Sequence, residues 1–300
     1  MPNIRAPRRG SLQFWPRKRA KRGYARIRNW HGNENKILGF AGYKVGMSHV
    51  GINEVSYPVT IIECPPLRVF GIRFYKLNPK IAVADLYNKD IDKELSRKTK
   101  ISNGKETNDF DDIKILVHTQ PKLAGVRKKK PEVFELGLGG NKEEKLILAR
   151  SLLGKEIKVG DVFQKGKFVD VHAVSKGKGF QGTVKRFGVA IRQHKSEKTK
   201  RGIGTLGSWT PKRVQYSVPQ SGKMGYHLRT EFNKLIIEIN KENLNPKSGF
   251  NNYGLIKNDY LLLKGSVVGS KKRLIIITEP SRNMNKKQID TTLEYVAIKR

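Results

Sequence analysis

The sequence predicts a mainly β body with an α/β insertion, carrying a long basic N-terminal tail and a long basic central finger loop. Three observations lead there. Short apolar runs rich in β-branched and aromatic residues alternate with Gly and Pro over 36–76, 156–174 and 231–300, as strands and tight turns do. Residues 77–155 hold twelve of the 26 acids and one well-punctuated helix. Residues 1–36 and 175–230 are net +10 and +12, together +22 of the chain's +35. The expected division is an extension over 1–35, a β-barrel body in three pieces (36–76, 156–174, 231–300), an inserted domain over 77–155 and a finger over 175–230.

In residues 1–35, Pro2, Pro7, Pro16, Gly10, Gly23 and Gly32 break any helix. Phe14, Trp15, Tyr24 and Trp30 are interleaved with Arg and Lys. Two readings compete: a solvated basic tail, or an arm whose cations neutralise phosphates while its aromatic faces stack on unpaired bases. Two tryptophans favour the arm. Residues 36–76 then read as strands, with Gly39, Gly42, Gly46 and Gly51 marking bends or bulges of a small barrel.

In the insertion, Ile81–Tyr87, Asp112–His118 and Val133–Leu138 read as strands and Asp90–Lys98 as a short helix. A second helix runs from Asn141 to Gly154, with Glu144 three residues after the capping Asn141. Leu146, Ala149, Leu152 and Leu153 form its buried stripe. Phe168–Val174, Phe232–Ile239, Tyr260–Leu263, Ser266–Val268 and Leu274–Ile277 read as further strands, and Thr291–Ile298 alternates well enough to close a sheet.

The segment Ser175–Thr230 has thirteen Lys and Arg, one acid (Glu197), nine glycines and two prolines. It cannot bury itself as a core, and it is too long for an ordinary connection. A chain of 300 residues at +35 repels itself, so a polyanion belongs to its working state. An anionic membrane surface fits less well, because no long basic amphipathic helix is visible. Cys64, the lone cysteine, excludes an internal disulfide and reads as a small buried hydrophobe. No apolar run reaches the roughly 18 residues of a membrane span, and the N-terminus lacks a signal peptide's apolar centre. A cytoplasmic protein is the expectation.

Gly177-Lys178-Gly179-Phe180-Gln181-Gly182 fits G-x-G-x-x-G after a strand. A dinucleotide reading fails, because TVKRFGVAIR makes a poor helix and no acid stands where a ribose needs one. Lys176, Lys178, Lys185 and Arg186 suit a phosphate backbone followed over some distance. No nucleophile elbow, no HExxH and no close pair of histidines is present, so no catalytic residue, metal ligand or cofactor is expected. Trp209, in Gly207-Ser208-Trp209-Thr210-Pro211, has no local apolar partner. It either folds back on the body or wedges into a crevice of the partner.

The candidate RNA-binding residues of the tail are Arg5, Arg8, Arg9, Arg17, Lys18, Arg19, Lys21, Arg22, Arg26 and Arg28, with Trp15 and Trp30 as stacking faces. In the finger they are Lys176, Lys178, Phe180, Lys185, Arg186, Arg192, His194, Lys200, Arg201, Lys212, Arg213, Gln220, Lys223, His227 and Arg229, with Trp209 near the tip.

KGKGFQG (176–182), KTKRG (198–202), GSWTP (207–211) and SGKMGYHLRTEFNK (221–234) closely resemble ribosomal large-subunit protein three, in its archaeal and eukaryotic form. DIKILVHTQP (112–121), the stretch 139–174, the tail and GFAGYKVGMSHV (39–50) are similar too, so the resemblance covers essentially the whole chain. It implies a six-stranded translation-protein β-barrel with an inserted α/β domain. It also implies two extensions that run into large-subunit rRNA towards the peptidyl-transferase centre, with Trp209 at the finger tip near where aminoacyl-tRNA is accommodated. Early assembly, neighbours of the ribosomal protein fourteen and twenty-four families, no membrane and no homo-oligomer are implied as well. Eukaryotic relatives carry a modified histidine in a KTHRG segment; this chain has Lys200 there, so that modification is not expected. A DNA-binding architectural protein would share the charge but would want a groove-reading helix or wedge residues. An RNA-modifying enzyme would need the missing catalytic constellation.

Overall fold

The structure is a computed structural model and describes residues 8–99, 101, 104–196, 198–241, 244–282 and 294–297. The chain divides into two compact units: Met1–Arg22 with Val174–Leu228, and Gly23–Ala173 with Arg229–Arg300.

The larger unit is mainly β. Its first sheet contains β1 (Gly39–Ile52), β2 (Val55–Glu63), β8 (Phe168–Val174), β11 (Leu228–Asn240), β12 (Tyr260–Lys264), β13 (Leu274–Thr278) and β14 (Tyr295–Ala297). Its order is β13-β8-β11-β12-β2-β1-β14, and β13 also pairs with β1. That extra pairing makes six of the strands a closed circuit of hydrogen-bonded neighbours, with β14 outside it on β1. The β1–β2 register shifts between Lys44 and Gly46, a bulge where glycine spacing predicts one.

The second sheet has β4 (Ile81–Tyr87), β3 (Leu67–Lys76), β5 (Asp112–His118) and β6 (Val133–Gly137) in that order, with β7 (Glu156–Ile157) also on β3. The pairings are antiparallel. Helix α1 (Lys142–Leu152) packs on β5 and β3 and buries Ala149, while Leu146, Leu152 and Leu153 pack against the core. Glu144 accepts the Asn141 backbone N–H at 3.0 Å, as the cap predicts. Phe40, Tyr43, Ile61, Ile72, Phe74, Ile115 and Leu136 belong to one continuous apolar cluster under both sheets.

Two buried carboxylates of this unit are fully used. Glu63 accepts from the Tyr253 hydroxyl, from the backbone N–H groups of Lys257 (2.8 Å) and Asn258 (3.2 Å), and from the Asn258 amide at 2.9 Å. Asp170 accepts from Asn233 N–H and from both the N–H and the hydroxyl of Ser281. Cys64 is buried, and burial pushes its thiol pKa up.

Within residues 23–36, Tyr24, Ala25, Ile27 and Trp30 pack against the core of this unit. Ala25 is buried, and the Tyr24 hydroxyl donates to the Val133 carbonyl at 2.8 Å. The Trp30 ring lies against Gly39 and Gly137, where a Cβ would come within 2.6 and 2.3 Å of it. Those two glycines are the seat of the indole.

Three local expectations are corrected. Ser266–Val268 is a loop, because the Val267 carbonyl accepts from the buried Lys44 ammonium instead of a neighbouring strand. Asp90–Lys98 forms only a 3-10 turn at Leu95–Arg97; Leu95 is its one buried residue, too little apolar surface to hold a helix. TVKRFG does start a helix, α2 (Thr183–Phe187), which Gly188 ends in the left-handed conformation at φ 67°. Of Thr291–Ile298, 291–293 and 298 lie outside the described residues.

Candidate nucleic-acid interface

The smaller unit is the basic one. By sequence, 1–22 and 174–228 hold twenty Lys and Arg and one acid, net +19. Its frame is the antiparallel pair β9 (Gly177–Gln181) and β10 (Gly222–Gly225), with Lys223 opposite Phe180. The forty residues between them form the finger. G-x-G-x-x-G therefore lies on a strand paired within the finger, not on the loop of a βαβ unit, and no dinucleotide cradle arises.

Phe187, at the end of α2, is the residue that organises this unit, and charge patterning does not single it out. The Trp15 ring stacks on it with centroids 5.0 Å apart and planes 18° off parallel. The guanidinium groups of Arg17 and Arg186 lie over the same ring at 4.1 and 5.0 Å. Gly10 (φ +82°) passes so close that a Cβ would sit 2.8 Å from it. The sequence signal for Phe187 was an aromatic inside a basic run, just before a glycine that can end a helix.

The tail and finger are joined through backbone carbonyls. The Lys18 carbonyl accepts from His227 Nδ1 at 2.8 Å, and Ala20 N–H donates to the Tyr226 carbonyl at 2.8 Å. Arg8 donates to the Ser217 carbonyl at 2.8 Å and lies over Trp15. Arg17 donates to the Arg186 carbonyl, and Arg19 lies over Tyr226. Arg186 donates to the carbonyls of Gln220 (2.8 Å) and Lys223 (3.2 Å), and burial lowers its pKa. Arg192 donates to the Ile203 carbonyl at 2.6 Å.

These contacts hold the cations by their neighbours' carbonyls and ring faces, which leaves their charge uncancelled. Among the described residues, no ion pair lies within this unit. The arrangement presents a surface of N–H donors to an anion.

The remaining candidates fall into clear groups. Arg8, Arg9, Lys18, Arg19, Lys21, Arg22, Lys176, Lys178, Lys185 and Lys223 are exposed around the tail and the β9–β10 pair. His194, Lys200, Arg201, Lys212, Arg213 and Gln220 are exposed on the finger, as is Phe180 at 70%. His227 is buried. Trp209 is 83% exposed, with the Lys212 ammonium 5.9 Å from its ring centre. Arg26, Arg28, Trp30 and Arg229 belong to the larger unit, and Arg5 lies outside the described residues.

The family model for Ribosomal protein L3 matches residues 1–101 and 75–299. The chain belongs to the ribosomal protein L3 family. It is 45% identical to the large ribosomal subunit protein uL3 of Methanobrevibacter smithii, covering 98% of this chain and 97% of that one. It is 46% identical to the protein of the same name from Nanoarchaeum equitans, over 98% and 97%. With that from Methanocaldococcus jannaschii it shares 44%, over 93% and 92%. The family is one of ribosomal proteins, not of enzymes. No helix among the described residues is long and apolar enough to cross a membrane.

Proposed function

We propose that this chain is a structural constituent of the large ribosomal subunit, where it binds large-subunit rRNA through the tail–finger unit. The observation that carries this is the +19 unit whose cations are fixed by carbonyls and aromatic rings and not by acids. Such a surface lets rRNA helices pack closely by neutralising their phosphates. We read the closed circuit of six strands as the translation-protein-type barrel, and residues 77–155, which give the second sheet β4, β5 and β6 and carry α1, as the inserted domain. The reading extends to early assembly, the neighbourhood of the peptidyl-transferase centre, and neighbours of the fourteen and twenty-four families. It implies work in the cytoplasm. Trp209, exposed on the finger, positions rRNA near the path of tRNA accommodation.

The test is fractionation of ribosomes in high-salt sucrose followed by crosslinking. Retention in the large subunit, with crosslinks clustered in 1–35 and 175–230, is the expected result. Release into the free pool with DNA or mixed RNA overturns the reading in favour of a general polyanion binder.

A further inference from the structure

The larger unit carries a cationic feature of its own, built in part from residues 28–33 of the N-terminal segment. It is a pocket of about 360 Å³, at the low end of the roughly 300–1,000 Å³ of ligand sites. Four cations from four separate pieces of chain line it: Arg28 from the N-terminal segment, Lys80 from the turn before β4, Lys114 from β5 and Lys145 from α1. The one acid on its wall, Asp112, is taken by Lys145 at 2.9 Å.

Lys114 is the residue that needs explaining. It is 97% buried, and its ion pair, with Glu135, is a long one. Glu135 is 3.8 Å away and already bound by Arg73 at 2.9 Å; the Tyr75 ring, at 4.6 Å, is the other neighbour. Burial lowers its pKa, Lys80 and Arg26 add to that, and Glu135 and Asp112 oppose it. A buried cation is costly unless it is paired. The other donors are also under-used. Among the described residues, Arg28 and Lys80 have no ion pair, and the Lys80 ammonium has only the Arg28 carbonyl, at 3.5 Å. Trp30, also on the wall, has a buried indole N–H without an acceptor among the described residues. The amides of Asn29 and Asn33 complete a donor-rich rim.

We propose that this pocket takes one phosphate group, a phosphodiester of folded RNA, between Lys80, Lys114 and Arg28. The proposal rests on the reading of the chain as an rRNA-binding protein and adds an anchor to it. That anchor lies on the sheet of the acid-rich segment 77–155, where composition argues against burial in RNA. A polar wall and several convergent donors suit a compact multivalent anion better than an apolar or cationic ligand.

The experiment uses the full chain and a large-subunit rRNA transcript, with affinity measured against salt. The double variant Lys80→Gln/Arg28→Gln changes two exposed side chains and should keep the wild-type melting temperature. Each lost phosphate contact lowers the slope of log affinity against log salt by about one. The double variant loses that one phosphate contact, and should therefore lose about one from that slope and roughly tenfold in affinity at moderate salt. Lys93→Gln, an exposed lysine of the same segment, should leave both unchanged. Crosslinking from position 80 should reach the RNA backbone. If the double variant matches the Lys93→Gln slope, the pocket proposal falls while rRNA binding stands. If the wild-type chain shows no preference for the transcript, both fall. If the double variant keeps the wild-type RNA slope but loses a rise in melting temperature that inorganic phosphate gives the wild-type chain, the pocket holds a free anion and the phosphodiester is excluded. If RNA affinity holds but crosslinks from position 80 reach a ribosomal protein in the subunit, an acidic peptide is the occupant and the proposal is overturned.

Discussion

The two units solve the problem of charge in opposite ways. In the larger unit the cations face acids: Arg73 is bound by Asp85 (2.6 Å) and Glu135 (2.9 Å), and Lys36 by Glu34 and Glu279. Beneath them lies a continuous apolar core. In the smaller unit the cations face carbonyls and rings, as with Arg186, Arg17 and Arg8, and the buried apolar residues include little beyond Phe187 and Val174. The first arrangement cancels charge and stands on hydrophobic burial. The second fixes direction while leaving charge available, at the cost of self-repulsion that only a polyanion or salt relieves. One chain thus holds a body that stands on its apolar core and an arm unit whose charge is left open.

The largest expected effect breaks the body alone. Glu63→Ala leaves a buried tyrosine hydroxyl and three N–H donors around an empty site. It should destabilise the larger unit by about 3–5 kcal/mol in urea unfolding, with amide exchange in β9 and β10 unchanged. A loss below 1 kcal/mol, on the order of an exposed substitution, would break the claim that the buried network holds this body.

Phe187→Ala makes the complementary cut. It removes the ring under Trp15, Arg17 and Arg186. About 3 kcal/mol should disappear from the smaller unit, seen as faster exchange of the Gly188 and Arg186 amides, while the body's urea midpoint holds. Equal loss in both units would erase the distinction between them.

How much of this was legible follows the same division. Strands of the body were readable because their side chains sit in an apolar core whose period the sequence carries; β5 and β8 have the bounds that alternation and turns suggest. Strand partners were not readable. β3 follows β1 and β2 in one run of apolar segments, yet it pairs with β4, β5 and β7, because pairing depends on distant residues. In the arm unit, charge marked the segments but hid their joining. The links from Lys18 to His227 and from Ala20 to Tyr226 use backbone carbonyls, which leave no trace in residue type. The cations of the pocket come from residues 28, 80, 114 and 145, so no local window contains them.

A smaller effect separates the units by pH. His172 in the body lies between the hydroxyls of Thr230 (3.0 Å) and Thr278 (3.1 Å), and burial lowers its pKa below 6.5, with Asp170 opposing. His118 is lowered too, chiefly by burial. A depressed folded pKa means that the unfolded chain binds more protons, so this stability is complete above about pH 6.5 and declines as pH falls through that value. Each histidine contributes a slope of at most about 1.4 kcal/mol per pH unit. His172→Gln should flatten the body's loss between pH 6.5 and 5.5 by one such share, measured by urea unfolding at each pH. A slope as steep as the wild type's would show that His172 is protonated in the fold.

The smallest effect on stability belongs to the most conspicuous side chain. Trp209, at 83% exposed, has the aromatic surface of Trp15 but none of its packing. Trp209→Ala should change the stability of either unit by no more than about 0.5 kcal/mol, since exposed positions that leave no cavity seldom do more. The same substitution should slow tRNA accommodation in ribosomes carrying the variant if, as proposed, the ring works on a partner and not on its own chain. The two readouts together locate its role. A stability loss near that of Phe187→Ala would mean that the indole folds back on the protein. Unchanged stability with unchanged accommodation would remove Trp209 from the working surface and leave the finger's cations to act without it.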